Sequence, residues 1–171
     1  MECLDYARVE TMGQLGEQMD EMERKGLINE KQRMSVDVEK IWHFCESDLG
    51  RRVKAAYQKE QVYRERPFVM GIKASELKQY RQLLEAGSVT AGQLDGEQIL
   101  IQGVIDLYFV ENGHIILVDY KTDRVDRLDT LADRYRVQLE YYANALNRVS
   151  QLEVQEKLIY SFCLDDVLAV E

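Results

Sequence analysis

Hydrophobic and polar positions alternate most clearly in two neighbouring stretches, Ile101–Val110 and His114–Lys121, separated by Glu111, Asn112 and Gly113. Asn-Gly between two such runs is a strong hairpin signal, because a two-residue turn with the strands' own twist needs positive φ at both central positions. With Asn112 and Gly113 in the turn, Glu111 pairs with His114. Counting back along the ladder then sets Asp106 opposite Asp119. Opposed residues share a face, with Cβ atoms about 5 Å apart. Lys121 is two residues beyond Asp119 and lies on that face as well. A one-residue slip would scatter the three charges, so the grouping depends on the turn.

Upstream, the spacing is helical. Met12, Leu15, Met19 and Met22 form a stripe that predicts a helix over 11–24, ending near Gly26. Val38, Ile41, Trp42 and Cys45 predict a second helix, starting at about Ser35 or Asp37. Ser47-Asp48-Leu49-Gly50 reads as a boundary before a third helix through Ala55, Ala56 and Tyr57. Its Arg51, Arg52, Lys54 and Lys59 make a basic edge, read as a solvated face. Gln61–Ile72 should contain a first core strand, Ala74–Leu84 a short helix capped by Ser75, and Ala86–Gly96 a polar connection. After the hairpin, Thr122–Asp133 reads as a charged loop with some helical turns. Arg134–Arg148 is the strongest helix, with Gln138 and Tyr142 four residues apart on one face. Lys157–Cys163 and Val167–Val170 close the chain as strands.

Two carboxylates brought together inside apolar strand repel each other, and are tolerated when a proton or a cation neutralises the pair. An all-oxygen set suits Mg2+ or Mn2+, with the carbonyl of Tyr120 as a further donor. A lysine alongside could orient water or offset phosphate charge. The rival reading is an ordinary ion pair at the end of a surface hairpin.

Composition narrows the class. At 171 residues, 46% hydrophobic and 31% charged, with one proline, the chain has the profile of a folded soluble domain. No apolar run approaches the roughly 20 residues of a membrane span, and no signal peptide is evident, so a cytoplasmic protein is expected. Cys3, Cys45 and Cys163 are odd in number and scattered, which fits a reducing compartment and no zinc or iron–sulfur pattern. The net charge of −9 predicts weak affinity of the isolated chain for DNA.

Three blocks together, Gly103-Val104-Ile105-Asp106-Leu107, Val118-Asp119-Tyr120-Lys121-Thr122-Asp123 and Gln138-Leu139-Glu140-Tyr141-Tyr142, resemble the RecB-type nucleases of the PD-(D/E)xK superfamily. They resemble most closely the C-terminal nuclease domain of bacterial AddA-type helicase-nucleases. Arg64-Glu65-Arg66-Pro67-Phe68 resembles the segment before that domain's core strands. The resemblance implies an α/β fold: a restriction-endonuclease-like mixed central sheet flanked by helices, with an N-terminal helical segment. Residues 1–60 would be the helical part and 61–171 the nuclease core of one structural domain.

The resemblance also implies divalent-metal-dependent hydrolysis of DNA, in the processing of double-strand breaks for recombination. Asp106 and Asp119 would be metal ligands, Lys121 the catalytic lysine, and Gln138 and Tyr142 a Gln-x-x-x-Tyr motif lining the site. Glu65 is a secondary candidate. The implied partners are DNA, a helicase domain of the full-length chain and a second nuclease-helicase subunit, with no membrane. A catalytically weak DNA-binding or subunit-interaction domain is the alternative. The family's metal-binding histidine, in an early helix, has no match in His43 or His114. The expectation is therefore a fragment beginning just after that helix.

Overall fold

The computed structural model describes residues 3–73 and 98–171. The helix expected over Ala74–Leu84 and the connection over Ala86–Gly96 lie outside the described residues.

After a 3-10 turn at Tyr6–Arg8 come α1 (Met12–Arg24), α2 (Glu30–Ser35), α3 (Val38–Glu46) and α4 (Asp48–Tyr57). Each helix start is fixed by its sequence. Thr11 with Gln14, and Asn29 with Gln32, form reciprocal capping boxes, while Asp37 and Ser47 accept from the Lys40 and Gly50 amides. Helix α2, not foreseen, is a single capped segment with no buried residue, so it leaves no apolar stripe to read.

Among the described residues, the strands are β1 (Val62–Lys73), β2 (Gln98–Glu111), β3 (His114–Lys121), β4 (Val154–Ser161) and β5 (Asp166–Ala169), ordered β1-β2-β3-β4-β5. Of these neighbours, β3 and β4 run parallel and the rest antiparallel. Parallel neighbours need a crossover, and helix α5 (Leu128–Val149) supplies it. Helix α5 begins six residues before the expected Arg134. Leu131 and Ala132 are buried and Leu128 packs beside them, so an apolar stripe threads the charges that made 122–133 read as a loop.

The sheet separates two apolar layers. Leu15, Phe44, Leu49 and Val53 of the N-terminal helices pack on Leu107, Phe109, Ile116 and Val118. On the other face, Leu131, Leu139, Ala143 and Leu146 of α5 pack on Ile105, Ile115, Leu117 and Ile159. The result is a mixed α/β architecture, a central sheet flanked by helices with an N-terminal helical region, as expected.

The β2–β3 connection is the predicted one. Glu111 pairs with His114, and Asn112 and Gly113 have φ of 52° and 81°.

Alternation changes phase once. In β1, Val62 faces the N-terminal layer, whereas Phe68, Met70 and Ile72 face α5. In β2, Ile105 faces α5 but Leu107 and Phe109 face the other way. The shift falls at Glu65, whose φ is 47°, and Asp106, between the pairs Arg64–Leu107 and Arg66–Ile105. A break in the ladder with local backbone distortion has the character of a bulge, which re-aims side chains.

Candidate metal and nuclease site

The three charges of the hairpin meet where β2 and β3 stop pairing. The last ladder pair is Leu107–Val118; beyond it the Tyr120 amide donates to Asp106 Oδ2 at 3.0 Å. A carboxylate thus takes the place of a backbone acceptor, which fixes Asp106 against β3. The direct Asp106–Asp119 pairing expected from the count is replaced by this bond. The two carboxylates are nevertheless close enough for Asp106 to raise the pKa of Asp119.

Asp119 is 2% exposed, below α5 and between Leu117 and Lys121 on one side of β3. Burial, the largest cause, pushes it up to about 6; Asp106 adds to the rise and Lys121 opposes it. Its Oδ2 lies 2.6 Å from Lys121 Nζ, yet the contact lacks hydrogen-bond geometry and that oxygen has no hydrogen-bond partner among the described residues.

Lys121 is held from three sides. Besides Asp119, Nζ donates to Gln138 Oε1 at 2.9 Å and sits 3.8 Å from the centre of the Tyr135 ring. With its oxygen committed to the lysine, Gln138 turns its amide NH2 to the Tyr142 hydroxyl, 2.7 Å away. Tyr142 is raised above its ordinary pKa, first by burial and then by Asp119 and Asp106, so its hydroxyl stays protonated. Spacing on α5 explains the convergence: 135, 138 and 142 are three and four residues apart.

Tyr135 was not foreseen. Its signal was available, one turn before Gln138. Its hydroxyl also donates to Asp123, tying the segment after β3 to the helix.

Gly103 was a second omission. A Cβ there would meet Phe68 Cε1 at 2.9 Å and Tyr142 Cε1 at 3.5 Å. The bare backbone of β2 is what lets the Tyr142 ring rest there, edge-on to Phe68 with centroids 5.5 Å apart.

Glu65 is exposed at the β1 kink, across from Asp106 where the strand register is interrupted. The Tyr120 ring packs on Phe44 and Phe162 in the opposite layer, so only its backbone can serve the site. His43 pairs with Asp165 at 3.2 Å, and His114 sits at the hairpin turn. The basic edge of α4 is engaged in the fold: Arg52 bonds both Glu111 and Glu156, and Lys54 bonds the Val9 carbonyl.

Among the described residues, no group of three or more His, Cys, Asp or Glu side chains gathers to hold a metal. The donors present still fit a hard divalent cation: two carboxylates, one with a buried oxygen lacking a hydrogen-bond partner among those residues. Mg2+ is commonly held by one or two carboxylates, with water and substrate phosphate completing the shell.

Comparison with known proteins agrees with this arrangement. The PD-(D/E)XK nuclease superfamily profile matches residues 10–166. The chain is 35% identical over 194 residues to an ATP-dependent helicase/nuclease protein of Lachnoclostridium phytofermentans, covering 100% of this chain and 14% of that protein. The same-named protein of Clostridium kluyveri is 39% identical over 168 residues, covering 98% of this chain and 13% of that one. That of Acetivibrio thermocellus is 40% identical over 164 residues, covering 95% and 12%. The chain thus spans about an eighth of the length of these relatives. Among the described residues, no helix is long and apolar enough to cross a membrane. With nearly its whole length matched, this chain belongs to the PD-(D/E)XK nuclease superfamily.

Proposed function

We propose that the chain is the nuclease module of an ATP-dependent helicase/nuclease and hydrolyses DNA phosphodiester bonds with Mg2+, for which Mn2+ can substitute. The observation that carries this reading is Asp119, buried 2.6 Å from Lys121 on one face of β3, with Asp106 fixed beside it. Asp106 and Asp119 would hold the cation, with the Tyr120 carbonyl as a further oxygen donor. When bound, the cation offsets the paired negative charge and acts as a Lewis acid toward the phosphoryl group.

The chain's own residues supply the rest. Lys121 presents an ammonium to the attacking water or to a phosphate oxygen, where charge grows during the reaction. Gln138 fixes that ammonium through its oxygen and the Tyr142 hydroxyl through its nitrogen. Having accepted from Gln138, the Tyr142 hydroxyl keeps its own proton for a phosphate oxygen of the strand. Glu65, across from Asp106, is placed to act from the β1 side. The names of the relatives support partnership with a helicase motor and with a second subunit. They also support a role in processing double-strand breaks for recombination, in the cytoplasm.

The test compares digestion of single- and double-stranded DNA in Mg2+ and Mn2+ by the wild type, Asp119→Ala and Lys121→Ala. Each variant should retain the wild-type circular dichroism spectrum and lose at least about 100-fold in rate, the loss expected on removing one transition-state charge contact. Wild-type rates in Lys121→Ala would remove the lysine from the reaction. An inert wild type would instead support the rival reading of a DNA-binding or subunit-interaction domain.

A further inference from the structure

Between β1 and the C-terminal half of α5 lies a groove of about 580 Å³, in the roughly 300–1,000 Å³ range of small-ligand sites. Its floor carries Tyr63 and Tyr108, opposed on β1 and β2 and stacked with centroids 4.7 Å apart and planes 15° from parallel. Arg66 lies over the Tyr63 ring at 5.5 Å. Arg148 lines the groove at its helical wall, where it donates to the Gly71 carbonyl. In a chain with 31 acidic and 22 basic residues, the described lining of this groove holds two guanidinium groups and no carboxylate. The groove also adjoins the nuclease site. Ile105, which precedes Asp106, lines it, and so does Phe68, whose ring packs on Tyr142.

We propose that this groove binds an unpaired nucleobase of the DNA strand being cut, stacked on the Tyr63–Tyr108 pair, with flanking phosphates drawn to Arg66 and Arg148. The proposal rests on the nuclease reading and deepens it, because it makes a single strand the preferred substrate. Rings with exposed faces accept any base, and adjacent positive charge follows the backbone. A lining with guanidinium groups and no carboxylate among the described residues favours a polyanion over an apolar protein segment as occupant. Base pairing would deny the groove its ligand, so duplex DNA gains nothing from it.

The experiment measures fluorescence anisotropy of a short labelled oligothymidylate with the wild-type chain, Tyr63→Ala and Tyr63→Phe. EDTA prevents cleavage. A second series replaces one nucleotide at a time by an abasic analogue. Base–aromatic stacking contributes about 1–3 kcal/mol, so one abasic position should weaken wild-type binding about tenfold. Tyr63→Ala should show the same weakening with the intact oligonucleotide and no further loss at the abasic position. Tyr63→Phe should bind as the wild type does. Equal wild-type affinity for intact and every abasic oligonucleotide would overturn the proposal, even where Tyr63→Ala fails to fold. Parallel digestion in Mg2+ separates the two readings. A wild type that cleaves DNA but is indifferent to abasic positions sinks the groove alone. One that binds in a base-dependent way but never cleaves sinks the nuclease assignment and leaves the groove as a single-strand binding site.

Discussion

Asp119 should destabilise the metal-free protein, and Asp119→Asn should relieve it. The carboxyl is 2% exposed and its pKa is raised from 3.8 to about 6, chiefly by burial. A raised folded-state pKa means that the folded protein binds the proton more tightly than the unfolded chain does. The associated stability is therefore fully present below about pH 4 and is lost as pH rises through about 6. A difference of about two units corresponds to about 3 kcal/mol at pH 8, as a ceiling for a group coupled to Asp106 and Lys121. Asparagine approximates the protonated carboxyl at every pH. For a chain of this size, about 3 kcal/mol is a rise in melting temperature of about 6–12 °C.

The assay is thermal melting of wild type and Asp119→Asn in EDTA, across pH 4 to 8. The variant should match the wild type near pH 4 and exceed it progressively above pH 5. In Mg2+ the ordering should narrow or reverse. The wild type gains from binding, by about 2.7 kcal/mol at a hundredfold excess over its dissociation constant, and the variant gains little. A variant less stable than the wild type at pH 8 in EDTA, or a gap that does not change with pH, would refute the claim that the buried charge is costly.

Two further substitutions examine the frame around the site. Gly103→Ala puts a methyl group 2.9 Å from the Phe68 ring and 3.5 Å from Tyr142. It should cost about 1–3 kcal/mol in urea unfolding and lower cleavage more than Phe68→Leu, which leaves Tyr142 room to settle. Arg52→Met removes the guanidinium that joins α4 to Glu111 and Glu156. Because this network is partly exposed, the expected loss is about 1 kcal/mol, shrinking in high salt, with cleavage unchanged. A salt-independent loss would shift the cause from charge to packing against Phe109.

The parts of the fold that were legible in sequence are those in which local chemistry and tertiary packing agree. Asn112-Gly113 could form one tight turn, and that turn fixed the register of β2 on β3. The stripes of α1 and α3 pointed inward because Leu15 and Phe44 had one core to enter. Helix α5 was misjudged at its start for a corresponding reason. Asp129, Asp133 and Arg134 are spaced among Leu128, Leu131 and Ala132, and only the sheet below decides that the apolar set governs. The start of β4 at Val154 was likewise set from outside, by pairing with Ile115 on the strand it joins.

The site divides along the same line. Asp119 and Lys121 share a face by the period of a strand, and Gln138 and Tyr142 by that of a helix, so each pair could be read separately. What joins the pairs is non-local. Lys121 reaches Gln138 because α5 crosses β3, and Tyr142 fits because β2 has no side chain at Gly103. The position of Asp106 is the most instructive. Continued ladder pairing would set it squarely against Asp119 as one more cross-strand pair. Instead the phase shift at Glu65 and Asp106 ends the ladder, frees the Tyr120 amide, and lets the carboxylate take it. Asp106 is thereby fixed by a backbone hydrogen bond instead of by a second cation, and Lys121 stays engaged with Asp119 and Gln138. An ordinary surface ion pair has no use for an interrupted strand, a buried carboxylate with an oxygen left over, and a lysine confined from three sides. A centre that must take up a cation and a phosphate has a use for all three.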